Sequence, residues 1–370
     1  LQKRQKTEMP FNVYVDKDER VAMIEIGDHE LILEEGEWSG WVPFAFPLET
    51  TGLCKAILTA FMMPTELPGI ARFYLKQTHP ELELYATPLN LDPANPAMPI
   101  STPDDYAAEL AEATGLFYTQ EMPEDTKALS GEIFSFDEFV KQARLTGDQF
   151  IDQYEFVLSR FDRGFLFYYF GNLDQTSHML MKSLDPQHPA YDPETDPKYA
   201  QVIREIHQEL DGIVGYTLDN MPPNTKLVVM SDHGFTGWRR AFHLNTWLKD
   251  NGYVVLKDPN RKDDPGYHMN VDWSRTRAYG LGLNGLYINL KGREKHGIVD
   301  PGERDALMRE LKEKLLAVID PETGEPAITK VYIAEETYED RGNLDIGPDM
   351  QVGYAKGVRC SFESAVGEYP

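Results

Sequence analysis

Two hydrophobic runs, Phe165-Leu166-Phe167-Tyr168-Tyr169-Phe170 and Leu227-Val228-Val229-Met230, each give way at once to a short segment carrying an aspartate and a histidine. Both runs are too short for a membrane span and rich in aromatic or β-branched residues, which reads as buried strand. The first leads into Leu173-Asp174-Gln175-Thr176-Ser177-His178 and the second into Ser231-Asp232-His233-Gly234. In open α/β sheets ligands gather beyond the carboxyl ends of the strands. Between the runs, Val202, Ile206, Leu210, Ile213 and Leu218 recur at helical spacing over Lys198 to Leu218, and Pro222-Pro223-Asn224 turns the chain into the second run. Strand, helix, strand of this length is the βαβ unit of a parallel sheet. The fold class expected is therefore α/β.

Carboxylate and imidazole together suit zinc while leaving positions open for water or substrate. If the chain turns helical after Asp174, then Asp174 and His178 stand at i and i+4 on one face and can grip one ion. Adjacent Asp232 and His233 cannot point at one spot from a regular strand, but at a turn opened by Gly234 they can converge or reach two neighbouring ions. The plainer reading makes Asp174 a helix cap, His178 a surface residue, and Asp232 and His233 strand-end turn residues. Two such pairs in this order, each at a strand end, favour the metal reading.

The chain resembles the type I phosphodiesterase/nucleotide pyrophosphatase family of the alkaline phosphatase superfamily, its bacterial members in particular. The likeness runs from Gly36-Glu37-Trp38-Ser39-Gly40-Trp41 through Leu84-Tyr85-Ala86-Thr87-Pro88-Leu89 and Pro123-Glu124-Asp125-Thr126-Lys127-Ala128-Leu129 to Gly285-Leu286-Tyr287-Ile288-Asn289-Leu290-Lys291-Gly292-Arg293-Glu294, and the two metal segments are its most specific part. It implies an alkaline-phosphatase-like, mostly parallel sheet flanked by helices. It also implies two zinc ions that clamp a phosphoryl group, Asp174 and His178 serving one and Asp232 and His233 the other. In the family a Thr or Ser on one metal attacks phosphorus to give a covalent intermediate.

The early Asp ligand and the Thr or Ser nucleophile of the family pattern have no counterpart here. A further His, expected in a Gly-Asp-His segment beyond Pro348-Asp349-Met350-Gln351-Val352-Gly353-Tyr354, is not reached before Pro370. Gly27-Asp28-His29 has those letters but lies between strand-like segments and reads as a turn. With Leu1 in place of Met and a basic opening, Lys3-Arg4-Gln5-Lys6, the expectation is an excised piece, inactive by itself, with no catalytic residue of its own. The implied substrate is a small-molecule phosphate ester, most specifically a phosphodiester. The alternatives are a phosphomonoesterase, a phosphonate hydrolase or a mutase of the same superfamily, or a non-catalytic binding protein. Export to the periplasm or the medium follows only by family analogy.

A formal charge of −25 over 370 residues argues against gripping a nucleic-acid backbone, which needs clustered Lys and Arg. Metals must then supply the local positive charge for a phosphate ester. No run is long enough for a transmembrane helix. Cys54 and Cys360, far apart and without C-x-x-C spacing, support neither a zinc knuckle nor a disulfide framework, and read as buried thiols.

Two stretches emerge, a β-rich accessory region with a Pro-rich connector over 1–103 and an α/β portion over 104–370. Phe11 to Pro47 alternates as an antiparallel meander, with further strand-like stretches at Ala71–Leu75 and Leu82–Ala86. Helices are expected over Asp104–Thr114, capped by Thr102 or Asp104, over Phe136–Arg144 with a Ser135/Glu138 capping box, over Gly147–Phe161, and over Arg304–Val318. Ala278–Leu290 reads as a close strand pair, and Lys330–Ala334 and Met350–Tyr354 as strands. His243 reads as a helix opening rather than a ligand, and His79, His188, His207, His268 and His296 as surface residues. The five tryptophans, Trp38, Trp41, Trp238, Trp247 and Trp273, read as core or edge packing. Thr176 and Ser177 are expected to orient Asp174, and Thr236 stands open as a nearby hydroxyl.

Overall fold

The computed structural model describes residues 8–47, 66–261, 266–340 and 342–370. Strands β1 (Phe11–Asp16), β2 (Val21–Ile26) and β3 (His29–Glu34) form the expected antiparallel meander. Alternation explains it: Ala22, Ile24 and Ile26 bury one face of β2 while the residues between them stay partly exposed. Gly27, at φ 57°, and Asp28 make the turn that sets Ile26 opposite His29, so His29 opens β3. Strand β4 (Val42–Pro47) pairs with β5 (Glu66–Ala71), and β6 (Phe73–Gln77) with β7 (Glu83–Ala86). The short β8 (Asn90–Leu91) completes the β4–β5 sheet. Ile24, Leu33, Val42, Phe73 and Leu75 share one core cluster.

Helix α1 (Tyr106–Thr114) begins later than the sequence suggests. Neither Thr102 nor Asp104 caps it; Ser101 Oγ accepts the Ala107 amide at 3.0 Å instead. After the short α2 (Thr126–Ser130), α3 (Phe136–Arg160) opens on the Ser135/Glu138 capping box. It runs unbroken through Gly147, where two helices are expected from the sequence. A glycine inside a helix costs about 1 kcal/mol, but here a Cβ would stand 3.0 Å from Asn172 Nδ2, so the close neighbour explains the residue. Next come α4 (Asn172–Leu180) and α5 (Asp196–Asn220).

Phe165–Phe170 and Leu227–Met230 join no ladder among the described residues, contrary to the strand reading. The period-2 signal is nevertheless visible: Tyr168 and Phe170 pack on Tyr154 at 5.1 and 5.3 Å, whereas Phe165 is 89% exposed. Apolar alternation sorts side chains to two faces, but a strand also needs a neighbour for its amides.

Farther along the chain lie β9 (Arg240–Phe242), α6 (Leu244–Asp250), β10 (Ala278–Leu281), β11 (Gly285–Ile288) and α7 (Pro301–Leu316). They are followed by β12 (Ile328–Ile333), α8 (Ala334–Thr337), β13 (Met350–Tyr354), β14 (Val358–Cys360) and α9 (Phe362–Ala365). The sheet order is β10-β11-β13-β12 with antiparallel neighbours, and β9 and β14 make a parallel pair. Helices and sheets thus mix along the chain as the α/β class requires. The chain divides into two compact units, Leu1–Met179 with Gln201–Met230, and Leu180–Ala200 with Ser231–Pro370. The second has its own core, in which Leu307, Leu311 and Leu315 of α7 meet Leu286, Ile288, Val331 and Val352.

His268 departs from its surface reading. It is buried, with Nδ1 2.7 Å from the Tyr369 hydroxyl and the rings of Trp273 and Tyr279 around it. Cys360 is buried and free, as read; Cys54 lies outside the described residues. Among the described residues no helix is long and apolar enough to cross a membrane.

Asp349, with no exposed surface, ties this second unit together. Its Oδ1 accepts from Arg293 Nη1 at 2.9 Å and Arg304 Nε at 2.8 Å, and its Oδ2 from Arg293 Nη2 and the Ile288 amide at 2.6 Å each. Burial works against the charge on Arg293, yet Asp349 and Glu294 together outweigh it and hold the guanidinium above its ordinary value. Removing one partner of a buried pair leaves an uncompensated charge, costing about 3–5 kcal/mol. Asp349→Ala is therefore expected to lose about that much in urea denaturation, with the slope m unchanged; a loss under about 1 kcal/mol would show the pair to be dispensable.

Candidate metal-binding site

Helix α4 opens at Asn172, putting Asp174 in its first turn and His178 in its last. Their i, i+4 spacing brings Asp174 Oδ2 and His178 Nε2 to 3.6 Å. Gln175 Nε2 donates to the same Oδ2 at 2.8 Å, a positioning contact the sequence reading missed. Thr176 and Ser177, assigned that task from sequence, turn into the interior at 0% and 1% exposure. The Thr176 hydroxyl has no partner among the described residues.

The second pair reaches the same separation without a helix. Asp232 Oδ2 stands 3.6 Å from His233 Nε2, in an exposed, non-regular segment. The His233 amide donates to Asp232 Oδ1 at 3.1 Å, which folds the aspartate side chain back along its own backbone. His233 Nδ1 lies 3.1 Å from the Gly234 carbonyl. A carbonyl only accepts, so Nδ1 carries the proton of the neutral ring and Nε2 its lone pair. Adjacent residues thus converge in a non-regular segment.

Two atoms bound about 2.0–2.1 Å from a tetrahedral zinc stand about 3.3 Å apart. Both 3.6 Å pairs lie close to that spacing, and their O and N donors suit the ion. Each pair supplies two donors. No group of three or more His, Cys, Asp or Glu residues with metal-binding geometry gathers among the described residues. His243 stands at the N-terminal boundary of α6, as read, and exposed Thr236 approaches only the Gly237 carbonyl, at 3.5 Å.

Residues 56–356 match the type I phosphodiesterase/nucleotide pyrophosphatase family, a span that includes both Asp/His pairs. The chain belongs to that family. Comparison with curated proteins gave no match, and comparison with solved structures gave none. Membership in the type I phosphodiesterase/nucleotide pyrophosphatase family supports phosphoester hydrolysis as the general class of activity.

A residue not singled out as functional from sequence belongs to the surroundings of the first pair in this family member. Glu124 is 2% exposed; its Oε1 accepts the Thr146 hydroxyl at 2.8 Å and its Oε2 has no partner among the described residues. Burial raises its pKa above the ordinary carboxylate value, the Thr146 bond opposes this, and the negative charge of Asp174 adds to the rise. No spacing rule joins positions fifty residues apart, so only the fold reveals the coupling.

The raised pKa means that the folded chain binds this proton more tightly than the unfolded one. Glu124 therefore contributes stability that is full below the unfolded glutamate pKa and lost as pH rises through the folded one. Glu124→Gln, which keeps an acceptor for Thr146, is expected to flatten the fall in stability with rising pH and to be the more stable variant at neutral pH. Denaturation midpoints measured across pH 4 to 8, a window chosen to bracket about one carboxylate titration, would refute this if the two curves ran parallel.

Proposed function

We propose that the chain is the two-zinc part of a phosphodiesterase, with Asp174 and His178 holding one ion and Asp232 and His233 the other. The observation that carries the reading is the matched 3.6 Å carboxylate–imidazole separation in both motifs, one built on a helix and one in a non-regular segment. Family membership supplies the reaction class.

When bound, zinc supplies positive charge to the phosphoryl oxygens as the transition state develops. The protein's own part is orientation: Gln175 steadies the Asp174 carboxylate, and the Gly234 carbonyl sets the His233 tautomer. The attacking hydroxyl is assigned to none of these residues. A net charge of −25 makes the ions the natural source of attraction for a phosphate ester.

Two donors per ion are fewer than the three a catalytic zinc usually keeps. The chain by itself is expected to hold zinc weakly and to turn over no substrate. Two zinc ions per chain surviving gel filtration, found by elemental analysis, would overturn that expectation. For the gene product supplied with zinc, a chromogenic phosphodiester should be cleaved in preference to the matching monoester. Asp232→Ala should lose several kcal/mol of transition-state stabilisation, on the order of a hundredfold or more in rate. Preference for the monoester, or a rate untouched by Asp232→Ala, would sink the assignment.

A further inference from the structure

We propose that Arg72, Trp41 and Tyr118 form a binding site for a small oxyanion, either free phosphate or the phosphoryl group of an ester, at one end of the β4–β5 hairpin. The strand register puts the first two there. Val42 pairs with Ala71, so Trp41 and Arg72 are the next facing positions, at the opposite end of the hairpin from the Pro47–Glu66 pairing. The Arg72 guanidinium lies over the Trp41 ring, 4.8 Å from its centroid, and Tyr118 meets the same ring edge-on at 4.6 Å. Cation–π attraction and the cross-strand position thus hold the guanidinium in place.

What the guanidinium lacks is an acceptor. The Arg72 backbone amide is satisfied by Thr87 Oγ1 at 3.0 Å, but Arg72 Nε and Trp41 Nε1 are buried donors with no partner among the described residues. Buried donors without acceptors are rare in folded proteins. Carboxylates are plentiful, 61 Asp and Glu against 36 Lys and Arg. Other arginines are taken up by them: Arg144 by Glu205 and Glu209, Arg239 by Asp185, Arg240 by Asp320 and Glu322. Neither of the two acids that act electrostatically on Tyr118 bonds the Arg72 side chain among the described residues. Asp125 takes the Ala128 amide at 2.8 Å and the Tyr85 hydroxyl at 2.6 Å, and Glu124 takes Thr146. Burial lowers the Arg72 pKa, with Tyr118 alone working against it.

The donor inventory fixes the ligand class. A guanidinium and an indole N–H only donate, and the Tyr118 oxygen already takes Gln142 Nε2 at 3.4 Å, leaving its proton to give. The ligand must therefore be all acceptor, and a tetrahedral oxyanion matches the forked guanidinium better than a point cation would. Arg72 covers the Trp41 face, so an aromatic base does not stack there. Each of the three residues keeps some exposed surface. No metal-binding donor takes part, so the site is independent of the zinc reading.

The test is calorimetric titration of the full chain, stripped of metal by chelator, with inorganic phosphate, with sulfate, and with a phosphodiester, at ionic strength matched by chloride. One-to-one binding is expected in the wild type and, undiminished, in Asp232→Ala. Arg72→Gln should weaken it by about tenfold or more, and Arg72→Lys, which keeps the charge but loses the fork, should weaken it to a smaller degree. Circular dichroism establishes folding; if Arg72→Gln does not fold, Arg72→Lys and Trp41→Phe, which removes the indole donor, carry the comparison. Binding of phosphate alone assigns the site to free phosphate, binding of the diester assigns it to the ester, and either sustains it. No binding of any of the three at millimolar concentration, or affinities unchanged in every folded variant, would overturn it.

Discussion

A carboxylate with no contact with water survives in a protein interior only when every lone pair is engaged, and Asp349 meets that condition. Its two oxygens collect three charge-assisted hydrogen bonds from the side chains of Arg293 and Arg304 and a fourth from the Ile288 amide. The consequences are topological. Asp349 stands immediately before β13, Ile288 ends β11, Arg293 follows β11 after a short turn, and Arg304 lies in the first turns of α7. One side chain therefore joins two sheet neighbours to the helix that covers the core. An apolar residue there would leave Arg293 with Glu294 and Arg304 with Glu335 as their remaining carboxylate partners, so the node is justified less by net stability than by the single arrangement it permits.

The same logic runs through the acidic surface. Among the carboxylate excess several arginines find bidentate or shared partners: Arg239 with both oxygens of Asp185, Arg144 between Glu205 and Glu209. Exposed pairs of this kind contribute little to stability. They do show how Arg72 differs, since its position on Trp41 is set by the hairpin register rather than by a carboxylate.

Much of this fold was legible where one local rule sufficed. The Ser135/Glu138 capping box, the β1–β3 meander and the strand at Met350–Tyr354 each follow from spacing within a few residues. Legibility failed where the answer depended on a distant neighbour. Gly147 looked like a helix boundary until Asn172 supplied the reason for a missing side chain. Phe165–Phe170 carried the right alternation for a strand but no ladder, because alternation reports faces and says nothing of hydrogen-bond partners. His268 looked like a surface loop residue, and only the arrival of Tyr369 from the far end of the chain explains its burial. In the candidate site the four Asp and His letters were readable, whereas the roles of Gln175 and Glu124 were not. Gln175 was hidden by the assumption that small hydroxyls next to a ligand do the orienting, and Glu124 by fifty residues of intervening chain.

The two Asp/His pairs show why sequence spacing alone underdetermines such a site. Four residues apart on a helix, carboxylate and imidazole meet because 3.6 residues per turn stacks them; adjacent in a strand, they would face opposite sides. The second pair escapes that constraint only because it lies in the non-regular stretch between α5 and β9, where the amide of His233 donates to one aspartate oxygen and the other swings toward the imidazole. The exposed, non-regular backbone that makes Asp232 and His233 look like ordinary turn residues is therefore the condition for their convergence. A helix would have separated them by roughly 100° around its axis and a strand by about 180°. Equal 3.6 Å separations from unequal local geometries are what a shared chemical demand on both pairs would produce.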